Sequence, residues 1–280
     1  MGSGGYQQKN KRRKISLAEK SGIVAMLLAM ALALVSLRLA LIPLALFLLL
    51  CLGAPFFPQF SLFLPIISRG RPGTKGVALT FDDGPCPEST PVLLDLLDRY
   101  NLSATFFIVG KQVEKYPELL QQILARGHSI GNHSLRHDNL LMLRGSKALG
   151  KDIRTTQEII QKFTVQSLVF RPPVGITNPH LGRVLAEEGL ITIGYSCRAL
   201  DRGNRNISNL SRKILEKLNP GDIIMLHDLP PYQKKMTSRW KEELEHLFGA
   251  LQSDYTVISL ENLIGHPVMR RTGLRVTEKK

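Results

Sequence analysis

The pattern of apolar and polar positions divides the chain into unlike parts. From Ser21 to Ile67 it is almost wholly apolar, and Arg38 is the only charge. A cleaved signal peptide has an apolar core of roughly 7–15 residues, much shorter than this. One bilayer crossing needs about 20 residues, so the stretch has room for two. The expected arrangement is a helical hairpin running from about Gly22 to Leu37, turning at Arg38 to Pro43 and returning to about Phe57. Pro55, Pro58 and Pro65 make the remainder, Phe56 to Ile67, an interfacial segment rather than a span. The alternative is a single span followed by a surface-lying apolar segment, which would place the rest of the chain outside the cell. The positive-inside rule favours the hairpin, because the basic N-terminal tail and the Arg69, Arg71 and Lys75 linker then share the cytoplasmic side.

Beyond the linker the pattern changes to short β-rich runs alternating with helical ones. The strands are predicted at 76–81, 104–109, 128–132, 168–171, 190–196, 222–226 and 255–259. The helices are predicted over Glu88–Tyr100, Val113–Arg126, Lys147–Phe163, Pro179–Glu188, Ser208–Leu218 and Lys235–Gln252. Gly127 and Gly189 supply stop signals for two of them. Alternation at this spacing predicts a parallel α/β sheet or barrel. About seven units in this length suit a barrel better than an open sheet.

The formal charge of +14 changes this picture little once it is located. Residues 1–75 hold ten Lys/Arg and one acid, and residues 266–280 hold five and one; the span 76–265 is nearly neutral, with 22 basic and 21 acidic residues. The basicity belongs to the tails, which argues against a nucleic-acid partner and for anionic lipid beside an apolar segment. Cys51, Cys86 and Cys197 form no CxxC or other paired spacing. They suggest neither a disulfide framework nor a cysteine zinc site, and each is expected to be a buried free thiol.

The chemistry gathers where strands end. Thr80-Phe81-Asp82-Asp83-Gly84-Pro85 follows the run Gly76–Leu79 and puts two adjacent carboxylates at a strand terminus. Such a pair repels itself and asks for a compensating cation or arginine. Alone, the six residues also describe an Asp-Gly turn with a solvated acid beside it. Gly131-Asn132-His133-Ser134-Leu135-Arg136-His137 follows a second strand. Two histidines four apart share one face if the chain is helical there, and with a carboxylate such as Asp83 they make a two-His, one-carboxylate metal site. They equally describe a surface helix with unrelated histidines. His128 and His180 read as ordinary polar residues. Arg171-Pro172-Pro173-Val174-Gly175, Tyr195–Asp201 and Ile223–Asp228 complete the set. Each cluster falls at the C-terminal end of a different predicted strand, the rim where barrel enzymes build their sites.

In this order TFDDGP, HSLRH, RPPVG, the Asp201 segment and MLHD resemble the five motifs of the polysaccharide deacetylase (NodB-homology) family, carbohydrate esterase family 4. The resemblance covers roughly residues 74–264. It implies a distorted (β/α) barrel of about seven strands and metal-dependent hydrolysis of a linear amide, a carbon–nitrogen bond other than a peptide bond. It further implies that Asp83, His133 and His137 hold the metal, usually zinc, although another divalent transition metal can serve. Asp82 is then the general base with Arg171 paired to it, His227 the general acid oriented by Asp201, and Val174 the donor of a backbone N–H to the oxyanion. In the fourth motif, DxxDW in many members, Arg198 stands at the first Asp and Arg202 at the Trp; Val174 stands where an aromatic residue is common. These changes strip the groove wall on which sugar rings pack. Tyr232 and Trp240 are candidates to replace it, with helix packing the other role open to Trp240.

The expected organisation is a basic tail (1–20), a membrane segment (21–67), a linker (68–75), a catalytic domain (76–265) and a basic tail (266–280). The expected function is a zinc-dependent N-deacetylase, integral to the cell (inner) membrane and facing the cytoplasm, acting on an N-acetylated sugar in a lipid-linked or membrane-proximal glycan. An outward-facing peptidoglycan or extracellular polysaccharide deacetylase is the alternative. An inactive glycan-binding or scaffold protein is the alternative of another class.

Overall fold

The computed structural model describes residues 15–54 and 61–272. The apolar segment forms two helices, α1 (Leu17–Ala33) and α2 (Leu37–Gly53), packed on one another. A capping box starts α1: Glu19 N donates to Ser16 Oγ (3.1 Å) and Ser16 N donates to Glu19 Oε2 (2.7 Å), satisfying two otherwise orphaned donors. Buried Ala18, Ala25 and Ala29, with Gly22 against the ring of Phe47, let the backbones approach closely. The leucines point outward, Leu27 at 60% exposure and Leu49 at 64%.

The turn falls at Leu34–Ser36, before the expected Arg38–Pro43. Ser36 is the reason: its hydroxyl accepts from Arg38 N (3.3 Å) and begins α2, so Arg38 joins the first turn and Pro43 sits inside the helix. Each helix has 17 residues, roughly 25 Å at the α-helical rise. No helix among the described residues is long and apolar enough to cross a membrane. Pro55 and Pro58, expected to begin an interfacial stretch, lie outside the described residues. From 61 to 67 the chain packs on the domain: Leu62 and Leu64 are buried, and Ile66–Ile67 is a strand, β1.

The elements then run β2 (Ala78–Asp82), α3 (Thr90–Arg99), β3 (Ala104–Ile108), α4 (Gly110–Lys115), α5 (Pro117–Ala125), β4 (Ser129–Asn132), α6 (Ser146–Gln161), β5 (Val165–Ser167), β6 (Val169–Phe170), α7 (Pro179–Glu188), β7 (Ile191–Ile193), β8 (Cys197–Arg198), α8 (Leu210–Leu215), β9 (Ile223–His227), α9 (Thr237–Asp254), α10 (Leu260–Ile264) and β10 (Met269–Arg271). Helix 113–126 is expected whole but divides at Tyr116, because Pro117 has no N–H to continue α4 and instead opens α5.

Eight strands form one parallel sheet in the order β1-β7-β6-β4-β3-β2-β9-β8. It curls but stays open between β1 and β8, so the expected distorted barrel of about seven strands is an eight-stranded half-barrel. Three of its strands, β1, β6 and β8, are two residues long; β6 lies within the predicted run 168–171, whereas β1 and β8 are not predicted. The strand expected at 255–259 shrinks to a single bridge, Val77–Val257, because Ser259 caps α10 by accepting from Asn262 N (3.2 Å) and turns the chain away. The linker is fastened to the domain by Gly70 N to Gly221 O (2.7 Å) and an Arg69–Asp222 ion pair (2.7 Å). Past residue 265 the chain keeps packing: Val268 is buried and β10 pairs antiparallel with β5.

The main core lies between the sheet and α3 and α9, where Phe81 stacks on Phe106 (centroids 5.0 Å apart) and meets Phe248 edge-on. Trp240, 1% exposed, belongs to this core and is no groove wall. Of the cysteines only Cys197 is buried; Cys51 is half-buried on α2, and half-buried Cys86 donates to Glu88 (2.9 Å).

Candidate active site

Because the sheet strands are parallel, their C-terminal ends share one rim. Asp82 ends β2 in register with His227, the last residue of β9. Arg171 follows β6, His133 follows β4, and Asp201 lies in the loop after β8.

Thr80 and Asp82 are alternate residues of β2 and so face the same side. Both meet Arg171, whose Nη1 donates to Asp82 Oδ1 (2.6 Å) and Thr80 Oγ1 (2.8 Å). Its Nη2 donates to Gly194 O (2.8 Å), and the guanidinium lies 3.9 Å from the centroid of the Phe107 ring. The pair is almost fully buried. Removing either partner would strand a charge in the core, a loss of about 3–5 kcal/mol.

Asp83 leaves the strand with φ 78°, a left-handed conformation that turns its carboxylate away from that of Asp82. Its Oδ1 lies 3.3 Å from His133 Nε2 and 3.1 Å from His137 Nε2. The ligand atoms of the three residues all fall within 4.8 Å of one another. His133 Nδ1 is 2.8 Å from the carbonyl of Arg171, so the ring is oriented by its far nitrogen with Nε2 left to the cluster. Asp83 Oδ1 is buried without a hydrogen-bond partner. An orphaned carboxylate oxygen facing two aimed imidazoles fits a divalent metal of the two-His, one-carboxylate kind. Burial pushes the Asp83 carboxyl up, but hydrogen bonding and charge from the histidines outweigh it and hold the group at about 2.

The two histidines do not share a helical face as their spacing suggests. Ser134 (φ 72°) and His137 (φ 51°) break any helix. A loop brings them together instead, with Ser134 N donating to Asn132 Oδ1 (2.9 Å) and His137 N to Ser134 Oγ (3.0 Å). Asp83, His137 and Val174 (φ 51°) all hold costly left-handed backbones, the kind of strain that concentrates at functional sites.

Opposite the cluster, His227 Nδ1 lies 2.6 Å from Asp201 Oδ2. Burial lowers the affinity of His227 for a proton, but the bonded Asp201 and the charges of Asp83 and Asp82 prevail, and the imidazole is pushed up to about 9. Val174 stands on the Pro173–Gly175 turn at the mouth. All eight residues singled out by the motifs line one cleft of about 490 Å³.

The family pattern described as polysaccharide deacetylase matches residues 69–193. The chain is 37% identical over 157 residues to a peptidoglycan-N-acetylglucosamine deacetylase of Bacillus cereus, covering 55% of this chain and 73% of that protein. It is 30% identical over 222 residues to a chitooligosaccharide deacetylase of a Bradyrhizobium species, covering 76% and 95%. The chain belongs to the polysaccharide deacetylase family. Among solved structures, the Bc1960 peptidoglycan N-acetylglucosamine deacetylase superposes with a TM-score of 0.66 at 26% identity, covering 73% of this chain and 95% of that one. Family membership makes the chain a hydrolase of the carbohydrate esterase family 4 deacetylase class.

Several supports of this deacetylase fold's site have no role assigned by the motifs. Thr80 on β2, Phe107 on β3 and Gly194 just after β7 hold Arg171, and only the first lies in a motif. Asp228, the last residue of MLHD, is fully buried and accepts from Ser89 Oγ (2.7 Å) and Thr90 Oγ1 (2.6 Å). Burial pushes its carboxyl up to about 7, against those two hydroxyls. It also fills the space into which a Cβ on Gly84 would project, so it pins the turn that follows the aspartate pair. His128 is buried rather than an ordinary surface histidine, and burial lowers its tendency to charge. Tyr232 is 79% exposed and does not line the cleft.

Elemental analysis after purification in zinc is expected to find about one metal per chain in the wild type and in Asp82→Asn, and a loss of at least about tenfold in Asp83→Ala. Undiminished metal in Asp83→Ala would remove Asp83 from the ligand set.

Proposed function

We propose that the chain is a membrane-anchored, zinc-dependent N-deacetylase acting on an N-acetylated sugar in a lipid-linked or membrane-proximal glycan. The observation that carries this reading is the division of the aspartate pair. Asp83 faces two imidazoles, Asp82 is held by Arg171, and a protonated His227 stands across the same cleft.

The metal that Asp83, His133 and His137 would hold supplies polarisation of the amide carbonyl and a more acidic water. Asp82 takes the proton of the attacking water on Oδ2, since Oδ1 accepts from Arg171. The backbone N–H of Val174 donates to the oxyanion of the tetrahedral species. His227 gives the proton on its Nε2 to the departing amine, which would otherwise leave poorly, while Asp201, bonded to Nδ1, orients the ring and keeps the imidazole charged until then.

The α1–α2 hairpin is the anchor in this reading. Its outward leucines need apolar surroundings, and two helices of this length that turn back suit an integral hairpin in the inner membrane with both flanks cytoplasmic. The basic residues near Ser16 and the Arg69–Lys75 linker support that side. An outward-facing peptidoglycan deacetylase is the second reading, favoured by what the Bacillus cereus relative is named for.

A reporter fused after Lys280 is expected to be active in its cytoplasmic form; activity only outside the cytoplasm would leave the second reading. Acetate release is the assay for the chemistry. Asp82→Asn is expected to keep its metal and lose about 10²–10⁴-fold in kcat, whereas wild-type turnover would exclude Asp82 as the base. The proton donor must be charged, so activity is expected to fall as pH rises past about 9, where His227 deprotonates. Asp201→Asn removes the bonded anion that raises this group, so its alkaline limb is expected to move to lower pH; an unmoved limb would show that another group donates.

A further inference from the structure

Three arginines share the cleft with the aspartate pair: Arg198, Arg202 and Arg205. No carboxylate among the described residues pairs with any of them. Most other arginines of the domain are paired: Arg99, Arg126, Arg144, Arg154, Arg171, Arg183 and Arg212 each meet an Asp or Glu, whereas Arg136 and Arg239, outside the cleft, meet none among the described residues. Three uncompensated guanidinium groups at one mouth repel each other and attract whatever anion enters beside them.

The backbone that carries them is held in place. Arg198 ends β8, and Arg202 and Arg205 lie on the loop that follows, where Leu200 (φ 58°), Arg202 (φ 54°) and Asn204 (φ 59°) adopt left-handed backbones. The loop is bolted to the strand end that carries His227: Asn204 Nδ2 donates to His227 O (3.1 Å) and Leu229 O (2.6 Å), and Asp201 bonds the imidazole itself. Arg198 is further steadied by Tyr195, donating to its hydroxyl (2.8 Å) with the guanidinium 5.2 Å from the ring centroid. A strained loop persists only where its surroundings over-determine it, and this one fixes the backbone of the cationic residues relative to His227. Guanidinium forks match the oxygens of a phosphate better than any neutral sugar hydroxyl.

We propose that Arg198, Arg202 and Arg205 form a phosphate subsite beside the hydrolytic centre, and that the substrate is an N-acetylated sugar carrying a phosphate ester or diester. This rests on the N-deacetylase reading above and names its substrate class. Two sources share that chemistry, a sugar joined through phosphate to a lipid and a sugar joined to a nucleoside diphosphate. The rim favours the lipid. Outside the α1–α2 hairpin, the large exposed apolar residues among those described are Leu140, Leu143, Val174, Leu200 and Tyr232, all on loops that follow sheet strands.

The test uses the full zinc-loaded chain in lipid nanodiscs, titrated calorimetrically with N-acetylglucosamine 1-phosphate and with N-acetylglucosamine. The phosphate ester is expected to bind at least about tenfold more tightly. The triple variant R198Q/R202Q/R205Q is expected to erase that preference, and the corresponding triple lysine variant, which keeps the charge, to restore part of it. Asp83→Ala is expected to retain the preference; losing it there would mean that the metal holds the phosphate and would overturn the proposal. Equal affinities in the wild type, or a full preference in the glutamine variant, would overturn it as well.

Acetate release separates this inference from the one beneath it. Release from neutral chitooligosaccharides as efficient as from phosphate esters would leave the deacetylase standing and remove the subsite. A phosphate preference in binding with no acetate from any substrate would do the opposite. A lower KM for a polyprenyl phosphate-linked sugar in the same bilayer than for a nucleoside diphosphate-linked one identifies the lipid as the source, and the reverse identifies the nucleotide; either, if abolished in the glutamine variant, supports the subsite.

Discussion

Two adjacent carboxylates at the end of a buried strand cannot remain ionised side by side without compensation, and the site is built around solving that problem. The solution separates them. A left-handed turn at Asp83 aims its carboxylate at two imidazoles, while Asp82 continues the strand and meets a buried guanidinium. Two acids of identical chemistry thereby acquire different partners and different work. Arg171 ties the halves together, since its side chain binds Asp82 and its carbonyl lies against His133 Nδ1.

The fold supplies this arrangement through direction and order. In a parallel sheet every strand delivers its last residue to the same rim, and the strand order sets β9, β2, β3, β4 and β6 side by side. Asp82 and His227 are register partners, so the side chains proposed as base and proton donor are neighbours by hydrogen bonding of the sheet itself. Loops then do what strands cannot: they carry His137, Val174 and Asp201 inward at backbone angles that only a well-packed surround sustains. Asp228 contributes by holding the Ser89–Thr90 segment against the turn that follows the aspartate pair.

Much of this is legible in the sequence because polar clusters interrupt apolar runs at strand ends, and an ordered set of five such clusters has few explanations. Asp82, Asp83, His133, His137, Arg171, Asp201 and His227 converge as that order implies. The helix 179–188 is readable to the residue because Asn178, Pro179 and Gly189 mark both its ends. What stays hidden is what depends on tertiary context. The two-residue strands β1 and β8 have no period to detect, unlike the equally short β6 inside its apolar run 168–171, and the β-rich run at 255–259 loses its ladder to the cap of α10. The HxxxH spacing suggests a helix, whereas Asn132 and Ser134 side chains stabilise a loop. The hairpin turn shifts because a serine cap outweighs an arginine and a proline as a boundary signal. Phe107 and the Gly194 carbonyl, which also hold Arg171, come from positions distant in sequence, and nothing local distinguishes them.

The central claim is that Asp83, His133 and His137 grip one cation while Asp82 stays outside the ligand set. X-ray absorption at the zinc edge of the zinc-loaded full chain tests it most directly. The account predicts two imidazole shells with the remaining donors oxygen, unchanged in Asp82→Asn and reduced to one imidazole in His137→Ala. A sulfur shell, a single imidazole in the wild type, or a first shell altered by Asp82→Asn would contradict it.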